Sequence, residues 1–158
     1  MQRPVSGLAS DLGEYAEAKR LCRKSLALLR EIGDRYVMAL CLNNLGHAAC
    51  GLGEFRESER HFREALITST DMHAVPLTLY VLVEMTTLLI KQGATEEAVE
   101  LLAFALGHPA SVKATREKAQ DLLAELTSRL PRKITAAAKE RGKARRLEDI
   151  VDGILRET

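Results

Sequence analysis

The feature that most constrains this chain is a recurrence without gaps. The segment "LGEYAEAKRLCRKSL" at 12–26 aligns with "LGEFRESERHFREAL" at 52–66, and a third copy, "KQGATEEAVELLAFAL", lies at 91–106. The offset is 40 residues each time. Tyr15 falls on Phe55, Ala18 on Ser58 and Ala98, Cys22 on Phe62 and Leu102, and Leu26 on Leu66. Self-similarity at one fixed period is the mark of a stacked array. A unit this short cannot bury its apolar faces alone, so neighbouring copies must share a core.

Each copy reads as helix, glycine turn, helix. In the middle copy the first helix is expected from Arg35 to Leu52, with Gly33 ending the previous helix and Asp34 capping the new one. Gly53 breaks the chain, and a second helix is expected from Glu54 to Thr68. In the third copy Pro76 sits in a first helical turn, where its missing N–H costs nothing. Gly46, Ala49, Ser58 and Ala65 are small enough to let two helices approach, while Leu42, Leu45, Phe55 and Phe62 fill the space beside them. The absence of Trp and the low aromatic content of 4% agree with packing through Ala and Leu.

This pattern resembles the tetratricopeptide repeat, whose signature is Trp-x2-Leu-Gly-x2-Tyr followed by Ala, Phe, Ala and Pro. The middle copy supplies Leu42, Leu45-Gly46, Ala49, Phe55, Ser58, Phe62 and Ala65. It departs at the Trp and first Tyr positions, which are Leu42 and Ala49. The period is also longer than the usual 34. Longer repeats with a linker such as "REIGDRYVMALCLNNLG" are similar to the C-terminal sensor arrays of bacterial STAND-class signalling ATPases and transcriptional regulators. The resemblance implies an all-α, tetratricopeptide-like solenoid of antiparallel helix pairs. Repeats occupy residues 1–109 (a partial first copy, then about 35–70 and 73–107), and a helical cap or extension occupies 110–158.

In that extension a helix begins near Ser111, carries the stripe Val112, Ala119, Leu122, Leu123, Leu126 and Leu130, and stops at Pro131. Gly142 is read as a turn. Leu147, Ile150, Val151, Ile154 and Leu155 form a last stripe, which either folds back as a cap or docks on another chain. At the other end, residues 1–11 hold few apolar side chains and include Pro4 and Gly7, a poor first helix. The array therefore reads as starting inside a repeat, as the C-terminal piece of a longer protein does. An apolar end without a neighbour favours self-association.

Chemistry is sparse. There is no GxxxxGK[ST] phosphate loop, GxSxG elbow or HExxH helix, so the expectation is a non-catalytic chain with no cofactor. His47 and Cys50 lie three apart and His61 sits across the pair, but Cys41 points away by helical phase, so no metal site is expected. Cys22, Cys41 and Cys50 read as reduced thiols in helices. No apolar run approaches membrane-spanning length and no signal peptide is visible, so a cytoplasmic setting is expected. A net charge of +1 gives the whole molecule no pull toward nucleic acid. Locally, Arg129, Arg132, Lys133, Lys139, Arg141, Lys143, Arg145 and Arg146 face only Glu140 in sequence. They support the alternative of a nucleic-acid-associated regulator, against a solvated linking helix.

By analogy with tetratricopeptide arrays, the first helix of each pair lines a concave groove. The expected partner-binding residues are Leu40, Asn43, Asn44, His47 and Cys50 in the middle copy. In the third they are Tyr80, Val83, Glu84, Thr87 and Lys91. Asn amides can meet a peptide backbone as donor and acceptor, or bond a neighbouring helix instead. The function this implies is an interaction scaffold for a protein or peptide, as a sensor part of a larger regulator.

Overall fold

The computed structural model describes residues 5–157, with side chains from Asp11 to Glu157. Among them are eight helices and no strand: α1 (Val5–Ile32), α2 (Arg35–Gly51), α3 (Phe55–Asp71), α4 (Val75–Lys91), α5 (Thr95–Gly107), α6 (Lys113–Arg129), α7 (Arg132–Lys143) and α8 (Leu147–Arg156). The fold is all-α, of helical hairpins, as the repeat pattern requires.

Four backbone positions set the hairpins. Gly33, Gly53, His73 and Gly93 hold φ of 80°, 79°, 56° and 84°, at even intervals of twenty residues. At Gly53 and Gly93 a left-handed residue ends a helix without the Cβ clash that other side chains meet. The hydrogen bonds repeat as well. Glu54 N–H donates to the Ala49 carbonyl at 2.9 Å, Ala74 N–H to Ser69 at 3.0 Å and Ala94 N–H to Leu89 at 2.9 Å. After Gly33, the Asp34 carboxylate accepts from Val37 N–H at 3.2 Å, the cap expected there.

The cadence does not extend back to Gly13. Residues 5–32 form one unbroken helix, and nothing crowds the Gly13 α-carbon. The poor helix expected over residues 1–11 is therefore, from Val5 onward, the first part of α1. A glycine costs a helix interior only about 1 kcal/mol, which a 28-residue helix absorbs. The expectations for Met1–Pro4 lie outside the described residues.

The chain forms two compact units, one through Thr68 and one from Ser69. In the first, α1 and α2 form a hairpin and α3 returns along α2. The Phe62 ring sits against Gly46, where a Cβ would lie 2.9 Å from it. Beside it the Ser58 hydroxyl donates to the Gly46 carbonyl at 2.6 Å. Leu26, Leu42, Leu45, Phe62, Ala65 and Leu66 are buried there. The Tyr15 ring occupies the space a side chain at Gly51 would need.

In the second unit α5 is central, and α4, α6 and α7 pack on it. Val83, Val99, Leu102, Ala119, Leu126 and Ala138 make its core, so the Leu126 stripe of α6 does face inward. Val112 precedes that helix and is exposed. Gly142 is not a turn. It lies within α7 and is buried because its missing Cβ leaves room for the Glu100 backbone carbonyl of α5. The chain turns after it, at 144–146. The α5 C-terminus is capped from α6: the Arg116 guanidinium donates to the carbonyls of Leu106, His108 and Ser111 at 2.9, 2.9 and 3.0 Å. The Ser111 hydroxyl donates to Ala105 at 2.6 Å. Ile150 and Val151 of α8 are buried, and a small cavity between α8 and α5 is walled by Leu101, Ile150 and Ile154. The C-terminal helices thus cap α5.

Candidate functional site

The expected groove residues fall on two helices, one in each unit. On α2 they differ sharply in exposure. Asn43 is 1% exposed, Asn44 is open to solvent, and Leu40 and His47 are half-buried. Cys50 is buried. The split follows from helical phase, since Asn43 and Asn44 stand about 100° apart around the axis. Asn43 shares its side of α2 with Ala39, Gly46 and Cys50. Neither its amide nitrogen nor its amide oxygen has a hydrogen-bond partner among the described residues. The His47 ring meets the Tyr15 ring edge-on at 6.0 Å.

On α4, Tyr80, Glu84, Thr87 and Lys91 form one stripe at helical spacing. Lys91 is exposed, Tyr80 and Thr87 half-buried, and Glu84 buried. Glu84 is engaged within its own unit by the Lys118 ammonium of α6. Thr87 donates its hydroxyl to the Glu84 carbonyl at 2.7 Å. Val83 belongs to the core. The members open enough to meet a ligand are therefore Leu40, Asn44 and His47 on α2, and Tyr80, Thr87 and Lys91 on α4.

Sequence reasoning missed a charged cluster between α1 and α3. The Lys19 ammonium donates to Glu54 at 2.9 and 3.0 Å and to Glu57 at 3.1 Å. The Arg23 guanidinium donates to Glu57 at 2.6 Å, and His61 Nε2 lies 3.4 Å from the same carboxylate. Burial pushes the Glu57 carboxyl up, but the hydrogen bonds from Lys19 and His61 and the Lys19 charge outweigh it and bring its pKa to about 2. Burial lowers His61, with Glu57 opposing. The Lys19 ammonium is raised, chiefly by its bond to Glu54. Only His61 and Glu57 stand at local helical spacing; Lys19 and Arg23 lie more than thirty residues from their carboxylates, so no local spacing reveals those pairs. Their saturated pairing makes the cluster a clamp between helices rather than acid–base machinery.

The basic segment is also less bare than its sequence. Arg141 pairs with Glu100 and reaches Glu96 at 3.6 Å, and Arg145 stands 4.0 Å from Glu100. Arg129 pairs with Glu125, Lys143 with Glu140 and Arg146 with Glu148. The carboxylates missing from the local sequence thus come partly from α5. No described helix is long and apolar enough to cross a membrane.

No curated protein and no solved structure matches the chain. Over residues 5–66, which span α1, α2 and most of α3, the chain matches the family model of the tetratricopeptide repeat, and its all-α hairpins are of that kind.

Proposed function

We propose that this chain is a non-catalytic interaction scaffold that holds a protein or peptide, and that it serves as the sensor part of a larger bacterial signalling or regulatory protein. The observation that carries the reading is the tetratricopeptide match over 5–66, a repeat that generally mediates protein–protein interaction. On α2 the solvent-open Asn44 is able to both donate and accept toward a peptide backbone, and α4 separately offers Tyr80, Thr87 and Lys91. The linker style of residues 30–46 supports the signalling context. Self-association belongs to the same proposal. Leu21, Leu28 and Ile32 fall on one stripe of α1 and are 48%, 57% and 75% exposed, an apolar strip available to a second copy.

The test is affinity capture from a lysate of the source cells, at low and at moderate salt, with the native chain and with Asn44→Ala and Lys91→Ala combined. A discrete protein retained at moderate salt, and weakened at least about tenfold by the paired substitution, is the expected outcome. Nucleic acid that is lost as salt rises, with no protein retained, would replace this reading with phosphate binding through the basic segment 129–146.

A further inference from the structure

The end of α5 and the turn after α7 meet at a hollow of about 290 Å³, walled by Phe104, Gly107, His108, Pro109, Lys143 and Arg145. That is near the small end of ligand pockets, roughly 300–1,000 Å³, so it admits a headgroup rather than a whole ligand. Among the described residues no carboxylate lines it. His108 is fixed there as a donor. Its Nδ1 accepts the Ala110 N–H at 3.1 Å, so the neutral ring carries its proton on Nε2. The Phe104 ring meets it edge-on at 5.7 Å. The two cations are loosely held. Lys143 stands 3.5 Å from Glu140 in an exposed pair, which contributes little. Arg145 reaches Glu100 only at 4.0 Å, and Arg141 already engages that carboxylate. Cations at the end of α7 also complement its dipole, but that role needs neither a hollow nor the histidine. The negative pole of α5 is offset by the Arg116 guanidinium, which takes the Leu106 and His108 carbonyls.

We propose that this hollow binds a terminal phosphate monoester, carried on a phosphorylated side chain of a partner peptide. The three free oxygens of such a group meet three donors: the Lys143 ammonium, the Arg145 fork and His108 Nε2–H. Its charge, close to two negative, balances the two cations, which a carboxylate does not. A nucleic-acid phosphate is a diester with chain on both sides, and it follows a groove rather than ending in a hollow. The peptide source rests on the scaffold reading above; the phosphate site itself does not.

The isotope-labelled full chain is titrated with capped phosphoserine, capped serine, inorganic phosphate and a thymidine dodecamer, while backbone amide shifts are followed. Capped phosphoserine is expected to shift the amides of 107–111 and 143–146 saturably, and capped serine to leave them in place. Inorganic phosphate should bind there more weakly, because it lacks the organic chain. Lys143→Gln combined with Arg145→Gln should weaken the phosphoserine by at least about tenfold. His108→Phe, which removes the Nε2 donor, should weaken it as well. Arg129→Gln with Lys133→Gln, outside the hollow, should not. Both cations of the hollow are exposed, so their variants are expected to keep the native Tm. No saturable shift, or an equal response around Arg129 and Lys133, would overturn the site. Inorganic phosphate binding as tightly as phosphoserine would overturn the phosphorylated side chain as its source. Tighter binding of the dodecamer at the same amides would overturn the monoester in favour of nucleic acid. None of these outcomes depends on whether a lysate yields a protein partner, so this site and the scaffold reading fail separately.

Discussion

Single residues here are best understood by what touches them, and sequence alone often misleads about that. Gly46 and Gly142 are both helical glycines that admit a neighbour. Gly46 was legible because the repeat demands a small residue opposite Phe62. Gly142 has no repeat counterpart, and a glycine needed for close approach looks identical in sequence to one needed for a turn. Gly46→Ala sets a methyl 2.9 Å from the Phe62 ring, which must give way, and should cost about 1–3 kcal/mol in urea unfolding. Gly142→Ala meets backbone instead of a side chain, so it should cost more and loosen α7 from α5, seen as faster amide exchange in α7. At His73 the chain takes a left-handed turn without a glycine, so His73→Gly should stabilise by about 1 kcal/mol in the same measurement. Asn43 was singled out for its amide, but its burial could not be read from one sequence. With both amide atoms unbonded among the described residues, Asn43→Leu should raise stability by roughly 1–2 kcal/mol. A neutral or lower stability would mean that the amide has work in the folded state.

At the scale of elements, α1 is held to α3 by charge, which gives the first unit a definite pH response. The Glu57 pKa is depressed when folded, so its contribution is complete above the ordinary carboxylate range and disappears as pH falls from about 4.5 through about 2. His61 is depressed too, so the folded state favours its neutral form and loses stability as pH drops below about 6.5. Both act in one direction, toward acid instability. Thermal melts between pH 7 and 3 should show a steady fall in Tm, and Glu57→Gln should flatten its lower part. Lys19→Met should cost about 1–2 kcal/mol at pH 7. Helix limits in the repeats were legible to within about three residues because Gly, Asp and Pro punctuate them. The cross-helix charges were not, because helical spacing predicts partners three or four residues away and these come from another helix. The same blindness made residues 129–146 look more basic than the surface they form, since Glu96 and Glu100 lie far back in the sequence.

At the scale of the molecule, the all-α hairpin plan was legible from the 40-residue recurrence alone. If the exposed strip of α1 is a contact between copies, light scattering should show mass rising with concentration, and Leu28→Glu should hold the chain at the monomer mass. A monomer at every concentration would remove self-association from the proposed function. The even placement of left-handed residues at 33, 53, 73 and 93 has a consequence for how such a chain can change length. One residue inserted within α4 before Glu84 would rotate all that follows by about 100° relative to what precedes it. Glu84 would swing away from the side of α4 on which it now sits. The following turn would also arrive one residue late. A duplicated block of whole hairpins carries its own turns with it and leaves every interval intact. Growth or loss in a lineage of such chains is therefore expected in whole repeats, and single-residue insertions and deletions should be confined to the ends where the cadence has already lapsed, before Gly33 and after Gly93.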